Sequence, residues 1–166
     1  MVFRISDQII GSQPIAETST VKKHPLGTIV RAVDPTYGGG EFIYLQGIGS
    51  TIVGSIVNYD DSFITALNTS AVTGPPRPLA VAMSVNVASQ YGWYQIAGLA
   101  LAAKGTGTSF ADGAMFGATA GLAVAAVTGT VIQGGVVYAV ASALSATAPD
   151  LVEISINRPT DPCDIS

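Results

Sequence analysis

Few residues in this chain have the chemistry of a reactive site. His24 is the only histidine, and it stands in Lys22-Lys23-His24-Pro25. A catalytic base needs a buried carboxylate behind it and a nucleophile in reach. A polar Lys-Lys-His-Pro segment supplies neither, so His24 reads as part of a solvated basic turn. Metal sites need clustered His, Cys or carboxylate ligands. Asp60-Asp61 and Glu41 are the nearest candidates, but adjacent residues on a strand face opposite ways, and the pair reads as a turn. Gly38-Gly39-Gly40 runs into Glu41, and the glycines at 105 and 107 lack the Gly-Lys-Ser/Thr ending of a phosphate loop. Cys163 is the single cysteine and cannot form an internal disulfide. Asn68-Thr69-Ser70 matches a glycosylation acceptor, which reads as accidental because no basic segment followed by an apolar run opens the sequence. No catalytic residue, metal or cofactor is therefore expected, and no enzyme.

One concentrated aromatic cluster remains, made of Tyr91, Trp93 and Tyr94. Three readings are open. Trp93 packs a core with the tyrosines at its rim, or the cluster anchors a subunit interface, or the rings stack on a ligand such as a sugar.

Charge narrows the classes of partner. The chain has 166 residues, the size of one domain, and a net charge of −4, which argues against nucleic acid. Only 11% of residues are charged, under half the usual share, while abundant apolar residues exclude disorder. Between Asp61 and Asp150 the charged residues are Arg77, Lys104 and Asp112 alone. Soluble monomers intersperse charge over their surface, whereas interface cores lose it. An oligomer is the expectation.

The uncharged stretch 113–149 raises a membrane reading, because Gly113, Gly117 and Gly121 repeat at four-residue spacing. The stretch is built of Ala, Gly, Val and Thr, and Gly129, Gln133, Gly134 and Gly135 interrupt it. Flanking Lys or Arg is missing as well. Strands are preferred over a membrane helix, which stays a competing reading.

Short β-rich runs punctuated by Gly, Pro, Asn and Asp predict an all-β domain, a compact β-barrel or β-sandwich. Residues 1–26 read as an extended N-terminal arm whose Val2, Phe3, Ile5, Ile9 and Ile10 seek a partner surface. Its removal is expected to spare the body at 27–158; 159–166 is a tail. Strands are expected at 28–33, 41–46, 51–59, 79–87, 91–101, 136–140 and 151–157. In 79–87, Leu79, Val81, Met83, Val85 and Val87 should face in, with Ala80, Ala82, Ser84 and Asn86 facing out. Local helix is conceivable at 64–67 and 122–126.

Two blocks carry a resemblance. Asp34-Pro-Thr-Tyr-Gly-Gly-Gly-Glu-Phe-Ile-Tyr-Leu-Gln-Gly47 is one. The other is Val81-Ala-Met-Ser-Val-Asn-Val87 running into Gln90-Tyr-Gly-Trp-Tyr-Gln-Ile-Ala-Gly98. Over residues 27–158 the chain resembles capsid decoration (cement) proteins of tailed bacteriophages; the arm and 113–143 match less clearly. The resemblance implies a cofactor-free β-rich protein on the outside of an icosahedral head, assembled in the host cytoplasm. It implies contact with the major capsid protein, as a homotrimer at three-fold positions, and no membrane or nucleic-acid partner. The arm residues named above, with Tyr91, Trp93 and Tyr94, are the candidate capsid or subunit contacts. A carbohydrate-binding β module and a small membrane protein are the alternatives.

Overall fold

A computed structural model of the chain describes residues 4–6, 11–69, 75–127, 129–139 and 150–162. These residues form twelve strands and no helix: β1 (Arg4–Ile5), β2 (Thr18–Ser19), β3 (Ile29–Asp34), β4 (Gly38–Gln46), β5 (Ile56–Tyr59), β6 (Thr65–Leu67), β7 (Leu79–Ala82), β8 (Tyr91–Ala103), β9 (Phe116–Thr119), β10 (Leu122–Ala125), β11 (Gln133–Ala139) and β12 (Leu151–Thr160). The all-β expectation holds. One curled antiparallel sheet runs β1-β3-β4-β8-β7-β5-β6, with β11 and β12 joined to it through β8. It does not close into a barrel. β9 and β10 make a separate hairpin.

The 13-residue β8 is the seam of the molecule. Its first half pairs with β4, from Gln46↔Tyr91 to Glu41↔Ala97. Its second half pairs with β12, from Asn157↔Ala97 to Leu151↔Ala103. A bulge opposite Glu41 and Phe42 marks the change of partner. There Gly98 takes φ +100°, and a Cβ on it would lie 2.5 Å from the Gly39 carbonyl oxygen. The Gln95 amide steadies the bulge by donating Nε2 to the carbonyls of Ala97 and Leu99, at 3.1 and 2.8 Å.

Side-chain alternation explains the packing. On β3, Val30 and Ala32 are buried while Ile29 and Val33 are exposed. Val30, Ala32, Phe42, Tyr44 and Trp93 form one apolar cluster. Ile43, Leu45, Tyr94 and Ile96, on the opposite face, form another, which β5 and β7 cover with Val57, Ala80 and Ala82. A third joins Phe116, Ala118 and Ala123 of the hairpin to Val137 and to Val152, Ile154 and Ile156 of β12. At the β3–β4 turn, buried Asp34 caps the chain: its Oδ1 accepts the N–H groups of Thr36 (2.7 Å) and Tyr37 (3.0 Å).

Several expectations need correction. The regular strand at 79–87 ends at Ala82, and Leu79–Ala82 is buried on both faces. Beyond Met83 the expected orientation reverses. Val85 and Val87 are exposed, and Ser84 and Asn86 are buried. A bend replaces the strand, and Asn86 Nδ2 donates to the Tyr94 hydroxyl at 3.0 Å, which fixes the polar residue inside. The segments at 64–67 and 122–126 hold strands β6 and β10 rather than helix. β12 continues past Pro159 to Thr160, beyond the expected stop.

Candidate functional site

The aromatic cluster is a core. Trp93 and Tyr94 have no exposed surface, and Tyr91 keeps only part of its own. Trp93 and Tyr94, proposed from sequence as contact residues, therefore present nothing to a partner of the folded chain. Tyr44 lies edge-on to Trp93, with ring centroids 5.0 Å apart, and stacks on Tyr91 at 6.4 Å. Burial raises the pKa values of the Tyr44 and Tyr94 phenols, so both stay protonated donors.

What locks this core comes from the segment expected to be a free arm. Gln13, 1% exposed, makes five hydrogen bonds. Its N–H donates to His24 Nε2 (3.1 Å) and its carbonyl accepts the Trp93 indole N–H (2.8 Å). Its Oε1 accepts the Tyr44 hydroxyl (2.9 Å), and its Nε2 donates to the carbonyls of Glu17 (2.6 Å) and Tyr91 (3.2 Å). Ile15 packs on the same cluster, and β2 pairs with the start of β8. Residues 11–26 are thus a strap bound to their own body.

His24 is corrected with them. It is buried, wedged against Tyr44 and Trp93 at 5.0 and 5.3 Å between ring centroids. Burial first, and then the charge of Lys23, lower its pKa. No sequence spacing announces this contact, because the partner is a backbone N–H eleven residues away. Of the other proposed arm contacts, Ile5 is half-buried against the Val30/Trp93 cluster in β1, which pairs with β3 of the same chain. Val2, Phe3, Ile9 and Ile10 lie outside the described residues.

Surface that remains open lies elsewhere. Met115, Val127, Tyr138 and Val33 are exposed by 60%, 64%, 56% and 51%, more than half of each side chain. A groove of about 460 Å³ crosses the sheet face between β3, β4, β8 and β12, floored by Gly39, Gly40 and Gly98. Glu41 sits beside it and shares its carboxylate between two guanidiniums, Oε1 with Arg31 Nε (3.4 Å) and Oε2 with an Arg158 terminal nitrogen (2.8 Å). Arg158 itself holds a left-handed φ of 47°, where β12 kinks. A second groove, of about 310 Å³ and lined by Met115, Gly135 and Val136, meets the first at Asn157.

Asp60-Asp61 is the expected turn. Asp60 Oδ1 accepts the N–H groups of Ser62 and Ile64, each at 3.0 Å, and Asp61 points to solvent. Among the described residues no group of three or more His, Cys, Asp or Glu side chains is placed to hold a metal ion. No helix among them is long and apolar enough to cross a membrane.

Three comparisons, with family models, curated proteins and solved structures, each return no match. An open β sheet carrying grooves and apolar surface defines an all-β protein.

Proposed function

We propose that this chain is a structural virion protein that binds the outer surface of an icosahedral capsid and strengthens capsomer contacts, as a trimer at three-fold positions. The observation that carries the reading is the quality of its exposed surface. Val33 lines one groove, exposed Met115 and Val136 line the other, and the two grooves meet at Asn157; connected apolar surface of that kind marks contact with other proteins. The scarcity of charge over 62–149 agrees with it.

The two blocks that resemble decoration proteins become neighbours in the fold. The first contains β4 and the second runs into β8, and the two strands pair side by side. The resemblance therefore falls on the centre of the sheet, where it bears on architecture. Many modest interfaces repeated over a shell would supply the mechanism, with no cofactor and no chemical step. The carbohydrate reading loses its stacking platform, since Trp93 and Tyr94 are covered.

The test is light scattering of the purified chain together with co-sedimentation on undecorated heads. A trimer that binds heads at a saturating ratio supports the reading. A monomer that stays in the supernatant removes it.

A further inference from the structure

We infer that the groove beside Glu41 receives the Asp60-Asp61 turn of a second copy of this chain, so that copies join head to tail. The inference rests on the trimeric virion reading and names the contact that would build the trimer.

Charge complementarity carries it. The groove presents Arg31 and Arg158, exposed by 73% and 60% of their side chains, around one carboxylate, Glu41. A guanidinium has five N–H donors, and in the described structure Arg158 directs one nitrogen to Glu41. The floor is bare glycine backbone, so a narrow loop can approach closely. Asp60-Asp61 is the one place among the described residues where two carboxylates stand together on a turn. Asp60 is committed to holding that turn, which leaves Asp61 projecting outward.

Among the described residues Asp61 forms no ion pair with Arg158 of its own chain, which is turned to Glu41. The turn packs at the far end of β4, where the Gln46 N–H donates to the Phe63 carbonyl at 3.0 Å. Glu41 lies five residues earlier on that strand, about 17 Å away at the rise of an extended chain. In this inference the carboxylate comes from a neighbour. A contact between two different patches of one subunit is heterologous, and it closes into a ring when the rotation allows. On an isolated chain the Arg31–Glu41–Arg158 group is a surface ion network of small worth. Covered by a second copy it loses water, and complementary charges across such an interface gain strength and fix register.

The experiment is sedimentation of the full chain over a range of concentrations, for the wild type, Arg158→Glu, Asp61→Lys and the double variant. Both positions are exposed, and circular dichroism checks that each variant folds. Each single reversal is expected to raise the concentration for half-dissociation about tenfold or more. The double variant is expected to return to within about threefold of wild type. Single reversals without effect, a double variant no better than the weaker single one, or a wild type that is monomeric throughout would each overturn the inference. Heads that bind charge-reversed monomers as fully as wild type would remove this contact and leave the capsid reading standing. Charge-swap rescue in a protein that ignores heads supports the contact and removes the capsid reading.

Discussion

The backbone N–H of Gln13 points at Nε2 of His24 across 3.1 Å, and that bond requires an imidazole with no proton on that nitrogen. Burial and Lys23 hold the His24 pKa below its usual 6.5. The native chain then binds fewer protons than the unfolded chain as pH falls past 6.5. The stability carried by His24 is fully present above about 6.5 and is lost as pH falls toward the folded value. Melting temperature is expected to fall between about pH 7 and pH 5 in the wild type. His24→Gln should flatten that slope; an unchanged slope would mean the imidazole does not titrate with the strap.

Gln13→Ala should be among the most damaging substitutions outside the large apolar residues. It takes the acceptor from the Tyr44 O–H and the amide donor from the Tyr91 carbonyl, and opens a small void. A loss of about 2–4 kcal/mol in urea unfolding is expected. A loss under about 1 kcal/mol would show that water replaces the amide.

Truncation separates the two parts of the N-terminal region. Deleting residues 1–6 removes the two-residue β1 and should cost only a few degrees of melting temperature. Deleting residues 1–26 uncovers Trp93 and Tyr44 and should abolish cooperative unfolding, contrary to the separable arm expected from sequence. Scanning calorimetry of both chains decides it.

Two glycines of similar backbone sign should differ. Gly38 has φ +73° with open space around it, so Gly38→Ala should cost about 1–2 kcal/mol. Gly98 has φ +100°, and its new Cβ would strike the Gly39 carbonyl. Gly98→Ala should cost clearly more and disturb the β4–β8 bulge. Equal losses in denaturant titrations would argue against a close approach.

Asp161 accepts a hydrogen bond from Asn68 Nδ2, yet burial raises its pKa. A carboxyl raised in the native state contributes stability that is present below its unfolded value of 3.8 and lost as pH rises through the folded value. Asp161→Asn removes the titration but gives up an oxygen among those that accept from Asn68, Asn58 and the Arg77 backbone. It should therefore make the melting temperature less dependent on pH between about 3 and 7. An unchanged dependence would show that Asp161 does not titrate with folding.

Local pattern made much of this fold legible. β12 alternates as its residues predict, with Val152, Ile154 and Ile156 inward, because its other face is left partly open. The pattern misled where tertiary contacts took over. β7 is covered on both faces, so alternation carries no information there. Asn86 goes inside for a hydrogen bond to Tyr94, which no periodicity encodes. Aromatic clustering at 91–94 was visible, but Trp93 is covered by Gln13, Ile15 and His24, about 70 to 80 residues earlier, and Tyr94 by β5 and β7 on the opposite face. The groove was invisible for the same reason: Arg31, Glu41 and Arg158 come from three strands, and Arg158 arrives from 117 residues away.

Both β2, at Thr18–Ser19, and β12, at Leu151–Thr160, are stitched to β8. During synthesis the second half of β8 leaves the ribosome some fifty residues before its β12 partner exists, with its hydrogen-bonding edge toward β12 unfilled. Native pairing there must wait until translation passes Thr160, since β partners distant in sequence form late. A nascent or prematurely terminated polypeptide thus lacks the finished groove, to which Arg158 belongs.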